Sequence, residues 1–154
     1  MAGQWILQPD AFDASRFPTV LVTHPASRLD TYYGAEALAQ LRQFATVRLN
    51  PGHDDLSGAA LVEAAQGCDV VIAYRQTPVS RDVLQALPML RAVVRCAVDI
   101  RTIDVAAASQ AGVLVTQASA GFMAAVSEWV VGVMIDLSRS ISAASFEYRS
   151  GGIA

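Results

Sequence analysis

Three short stretches place polar side chains directly after apolar runs: His24-Pro25 after TVLVT, Arg75-Gln76-Thr77 after DVVIAY, and Val98-Asp99, with Arg101 and Asp104 close behind, after AVVRCA. A guanidinium in such a place can grip a carboxylate in a two-pronged fork, and an imidazole can serve as a general base. If the runs are strands of an open parallel α/β sheet, all three stretches lie at carboxyl ends, where such sheets bind ligands. Each also has a plainer alternative. His24 has no acidic neighbour in sequence to orient it and is expected to be a loop histidine. Arg75 reads equally as a surface charge, and the polar exit after Ala97 as a solvated loop.

The elements that must hold these residues follow from the spacing of apolar residues. Runs of four to seven residues, rich in β-branched side chains, predict strands at 19–23, 46–50, 69–74, 92–97 and 113–117. Helical stretches GAEALAQLRQFA, LSGAALVEAAQGC, SRDVLQAL and IDVAAASQAG alternate with them, the signature of βα units around a parallel sheet. Ser80 marks a helix start and Gly112 a helix stop. The expected fold class is α/β: a flavodoxin-like open parallel five-stranded sheet, order 2-1-3-4-5, with flanking helices and a long C-terminal linker helix. The switch point then falls between the first and third strands.

Residues 1–120 are assigned to this domain, 121–141 to the long helix, and 142–154, small, polar and ending in a glycine pair, to a linker or tail. In the helix, Val126, Trp129, Val130, Val133, Met134 and Leu137 form one stripe, with Val131 and Ile135 on another side. A helix apolar nearly all round is buried on more than one face. It is expected to pack against another domain or a second subunit, with a homodimer through 124–141.

Composition removes several classes. All eleven basic residues are arginine, so Schiff-base chemistry and a Walker A loop are out. A net charge of -3 and no basic cluster argue against nucleic acid. The ten glycines contain no G-x-G pair, so no dinucleotide fingerprint can be drawn. A phosphoryl-accepting receiver lacks its aspartate and lysine, and no G-x-S-x-G elbow is present. Two histidines and two cysteines without C-x-x-C leave no metal spacing, and Cys68 and Cys96 are expected to be buried structurally. The window 124–141 is interrupted by Glu128, Asp136 and Arg139 and is short of a membrane span, and the amino terminus does not read as a secretory signal. A cytoplasmic location is expected.

From Leu61 to Arg139 the order of features resembles the amino-terminal, substrate-binding part of the D-isomer-specific 2-hydroxyacid dehydrogenase family. The pieces are DVVIAYRQTPVSRDVLQALPMLRAVVRCAVDIRTIDVAAASQAGVLVTQASAG and VSEWVVGVMIDLSR. Arg75 and Thr77 match the family's loop after the third strand. Pro88 and Leu90-Arg91 match the following turn; Ile103, Asp104, Ala107-Ala108 and Gly112 match the next strand-to-helix passage; Val126 and Glu128 match the long helix. The first sixty residues share only the α/β pattern.

The resemblance implies that backbone amides at Gln76, Thr77, Val98 and Asp99, beside Arg75, hold the carboxylate of a small 2-hydroxy or 2-oxo acid, and it places Val126 on the cofactor side. Two departures stand at this site. Ala97 and Asp99 occupy two glycine places, and Arg101-Thr102 replaces an Asp-Asn pair. Asp99 would repel a carboxylate unless Arg75 or Arg101 neutralises it or it turns outward. The resemblance also implies that the parent enzyme uses NAD or NADP, and that the glycine-rich loop and the catalytic arginine, acid and histidine belong to a second domain. This chain alone is therefore expected to bind no nucleotide tightly and to show no turnover. Two other readings stay open: a non-catalytic module binding a small carboxylate or a protein, and a different flavodoxin-like enzyme using His24 and Arg75.

Overall fold

The computed structural model describes residues 16–152, in two units, one running to Ala118 and one beginning at Ser119. The first holds five parallel strands: β1 (Thr19–Val22), β2 (Thr46–Leu49), β3 (Val70–Ala73), β4 (Ala92–Arg95) and β5 (Leu114–Thr116). Their order is β2-β1-β3-β4-β5, as the sequence predicts. Registers pair Val22 with Ile72 and Ala73 with Arg95, so the β1, β3 and β4 exits lie side by side.

The pleat sends Leu21, Val71, Ala73 and Val93 into one core. There they meet Leu61 and Ala65 of α3 (Gly58–Ala65), Val83 and Leu84 of α4 (Arg81–Gln85), and Ala107 and Ala108 of α5 (Val105–Gln110). Full burial of a leucine such as Leu61 contributes roughly 2 kcal/mol. On the opposite face Val70, Ile72, Ala92 and Val94 are half-buried.

The loops after β3 and β4 are short because helix caps end them. Ser80 Oγ accepts from Val83 N–H at the start of α4, and Asp104 Oδ1 accepts from Ala107 N–H at 2.8 Å at the start of α5. Gly112, at φ +70, stops α5 in a conformation that favours glycine. The sequence reading passes over α1 (Ala26–Tyr32), which follows β1 directly and precedes α2 (Gly34–Leu41). It has seven residues and none is buried, so it leaves no apolar stripe to detect.

In the second unit α6 (Met123–Arg139) is the expected long helix. None of its residues is buried, and Trp129 and Leu137 are 68% and 76% exposed. The stretch expected to be a linker or tail is instead helical, as α7 (Ile141–Arg149). Ser140, in the left-handed conformation, breaks the chain direction, and Asp136 Oδ1 accepts from Ser142 N–H at 2.7 Å, supplying the missing cap. The glycine pair is this helix's stop: Gly151 has φ +82, and Gly152 N–H returns to Glu147 O at 2.9 Å. Among the described residues no helix is long and apolar enough to cross a membrane.

Candidate functional site

The exits of β3 and β4 are tied together by a residue that the sequence reading left without a role. Arg95, the last residue of β4, is 1% exposed. Its Nη1 donates to Tyr74 O, and its Nη2 donates to Thr77 O at 3.2 Å and to Thr102 Oγ1. One guanidinium thus fixes the loop after β3 against the loop after β4. Backbone bonds extend the join: Val79 N–H donates to Thr102 O, and Asp104 N–H donates to Val79 O, both at 2.9 Å. An arginine within an apolar run was the available signal, because charged side chains are almost never fully buried without partners.

Arg95 forms no ion pair among the described residues. Burial lowers its pKa, opposed chiefly by the negative charge of Asp99. It remains a cation, because a guanidinium does not deprotonate in proteins. A positive charge is therefore seated beneath the two strand exits with no acid bonded to it.

The expected site residues divide around this arginine. Arg75 and Gln76 are exposed. Thr77 is fully buried and committed: its N–H donates to Tyr74 O at 2.9 Å, its carbonyl accepts from Arg95, and its Oγ1 lies 2.7 Å from Thr23 Oγ1. Thr77 is therefore a structural tie, and the expectation that its amide meets a ligand is corrected, since that donor is already paired. In contrast, the N–H groups of Gln76, Val98 and Asp99 have no acceptor among the described residues. Val98 is 39% exposed.

Asp99 is neutralised by Arg101. The guanidinium reaches both carboxylate oxygens, with Nη2 to Oδ2 at 2.7 Å and Nε to Oδ1 at 2.9 Å, and Arg101 N–H also donates to Oδ1 at 2.9 Å. These bonds, the side-chain ones first, hold the Asp99 carboxyl at about 2. Its charge is thus spoken for within the loop. Neither Ala97 nor Asp99 needs the conformational freedom of glycine, because Ser140 alone among the described non-glycine residues has positive φ.

His24 is a loop histidine, between β1 and α1, but a buried one. It is 1% exposed and ringed by Tyr32, Tyr33 and Tyr74, with ring centroids 5.0, 4.9 and 4.8 Å away. Neither ring nitrogen has a hydrogen-bond partner among the described residues. Burial, and then the positive charge of Arg95, pull its pKa down to about 4, so the imidazole is neutral near pH 7. No hydrogen bond or ion pair joins it to Arg75. Cys68 is buried as expected, whereas Cys96 is only half-buried and lies 2.8 Å from Tyr33 Oη. Burial first, and this bond second, raise the Tyr33 pKa. Val126 lies on α6 and is 49% exposed.

On the other side of β3, Asn50 stabilises the loop after β2. Its Nδ2 donates to Thr23 O at 3.2 Å and to Asp54 O at 2.9 Å, while its Oδ1 accepts from Gly52 N–H at 2.9 Å. An asparagine just past a strand, two residues before a glycine, signals such a turn. At the β1–α1 junction, where a dinucleotide fold would carry glycines, Thr23, His24 and Pro25 are all buried. These residues do not fit a pyrophosphate cradle.

The sequence model of the D-isomer specific 2-hydroxyacid dehydrogenase catalytic domain matches residues 20–150. The chain belongs to this family. Within it, the chain is 28% identical over 132 residues to the D-3-phosphoglycerate dehydrogenase of Methanocaldococcus jannaschii, covering 86% of this chain and 23% of that protein. It is 29% identical over 142 residues to a glyoxylate/hydroxypyruvate reductase of Arabidopsis thaliana, covering 92% of this chain and 42% of that one. Among solved structures, the 2-hydroxyacid dehydrogenase of Ketogulonicigenium vulgare superposes with a TM-score of 0.69 at 25% identity, over 89% of this chain and 42% of that one. The chain therefore spans less than half the length of each of these family members.

Proposed function

We propose that this chain is the substrate-binding portion of an NAD- or NADP-dependent D-2-hydroxyacid dehydrogenase, and that it grips the carboxylate of a small 2-hydroxy or 2-oxo acid. The backbone N–H groups of Gln76, Val98 and Asp99 converge on the carboxylate from two loops. The observation that carries this reading is Arg95, which fixes those loops relative to one another and places an unpaired positive charge behind them. A carboxylate in front of that charge is attracted to it. Arg101 keeps Asp99 from opposing it.

The chain's own residues bind and orient; hydride transfer belongs to the nicotinamide and to an acid–base group beside it. The residues described here supply neither, since His24 is sealed and neutral and the β1–α1 junction does not suit a dinucleotide. The exposed apolar surface of α6 supports a homodimer through residues 124–141 as part of the same reading. Calorimetry with 2-oxo acids, in the presence and absence of NAD, tests it. Saturable heat from the acid alone, lost in Arg95→Met, is expected. No heat from any 2-oxo acid would refute the reading.

A further inference from the structure

Next to the proposed carboxylate grip, the β1, β2 and β3 exits enclose an open cavity of about 300 Å³, at the lower end of the roughly 300–1,000 Å³ typical of small-molecule sites. Gln76, Ser27, Arg28, His53, Asp54 and Asp55 line it, above Pro25 and Tyr74. Its walls are held in place: Asn50 bonds both the β1 exit and the Asp54 carbonyl, and Leu56 anchors the loop in the core. Arg28, His53, Asp54, Asp55 and Gln76 make no side-chain hydrogen bond or ion pair among the described residues. They face the cavity with their donors and acceptors unspent.

We infer that this crevice receives the far end of the acid whose carboxylate is held at Gln76, Val98 and Asp99, and that this end is a neutral, polyhydroxylated chain. The inference rests on the reading given under Proposed function, and Gln76 is its geometric link, since its backbone serves the grip while the residue also lines the cavity. The lining mixes acceptor-only carboxylates, Asp54 and Asp55, with the donor-only guanidinium of Arg28 and the two-way amide of Gln76. A hydroxyl both donates and accepts, so a row of hydroxyls satisfies all of them. An aliphatic tail would strip water from these groups and return no hydrogen bond. A second anion, phosphate or carboxylate, would meet two aspartates against one arginine.

The test is a two-dimensional NMR titration of the whole 154-residue chain with three six-carbon acids: gluconate, (R)-2-hydroxyhexanoate and (R)-2-hydroxyadipate. Gluconate is expected to bind about tenfold more tightly than the other two, the worth of one or two added hydrogen bonds. Its signature is shifts at His53 and Asp55 as well as at Gln76. In the double variant Asp54→Ala/Asp55→Ala, with both replaced residues exposed, that advantage should fall to about twofold or less, through weaker gluconate binding and equal or tighter binding of 2-hydroxyhexanoate, whose tail no longer strips water from the carboxylates. If 2-hydroxyhexanoate or 2-hydroxyadipate matches gluconate, or the double variant keeps the full preference, the inference is overturned and the carboxylate grip survives. If none of the three shifts Gln76, Val98 or Asp99, the grip itself fails and the inference with it.

Discussion

Replacing Arg95 by methionine tests the organisation of the strand exits, because it keeps much of the volume and removes every donor. In the wild type the guanidinium supplies bonds to Tyr74 O, Thr77 O and Thr102 Oγ1. After the substitution Tyr74 O keeps Thr77 N–H, whereas Thr77 O and Thr102 Oγ1 lose this donor. A buried carbonyl left unpaired costs about 1–3 kcal/mol, and two further charge-assisted bonds disappear. Against this, methionine avoids the several kcal/mol spent on burying a charged group. The expected net loss is about 2 kcal/mol, which lowers the melting temperature by roughly 6 °C for a chain of this size. Thermal and urea unfolding measure it, with Arg75→Ala as the comparison. Arg75 is exposed, so its removal should stay within about 0.5 kcal/mol. If Arg95→Met melts with the wild type, or Arg75→Ala loses as much, the role given to Arg95 is wrong.

Other consequences are open to separate measurement. His24 has a pKa of about 4 in the fold against 6.5 for the free side chain, so the unfolded chain takes up the proton first as pH falls. Stability should therefore drop by roughly 3 kcal/mol between pH 6.5 and 4, and His24→Phe, which suits the tyrosine cage, should flatten that part of the urea-derived profile; an unchanged slope would contradict the assignment. Arg101→Ala leaves Asp99 unneutralised at the proposed grip, and affinity for a 2-oxo acid should fall a few-fold at low ionic strength and recover toward wild type in high salt. A loss independent of salt would point instead to a change in loop shape. Light scattering should give twice the chain mass, and Val131→Asp, on the exposed face of α6, should give the monomer. A monomeric wild type would remove the dimer from the proposal.

The strand content of the chain was plain in its sequence because runs such as VLV and VVIA have no competing helical period and are rich in β-branched residues. All five strands follow from that alternation, their order was expected only from the fit to a flavodoxin-like sheet, and the start of α4 and the end of α5 were readable from Ser80 and Gly112. What escaped depends on partners distant in sequence. α1 buries nothing, and α7 depends on Asp136, six residues before the N–H it caps. Arg75 was singled out because it follows a strand, yet it faces solvent; Arg95, inside a strand, finds its partners 21, 18 and 7 residues away. Thr77 looked available for the same reason that Arg75 did. Only the fold reveals that Thr23, Tyr74 and Arg95 occupy its polar groups.

The most direct test of the carboxylate grip is the amide spectrum of the chain during titration with pyruvate. The N–H signals of Gln76, Val98 and Asp99 should move together and saturably, that of Thr77, already bonded to Tyr74 O, should move least among the loop residues, and Arg95→Met should abolish the response. Shifts confined to other parts of the sheet, or none at any pyruvate concentration, would contradict the account.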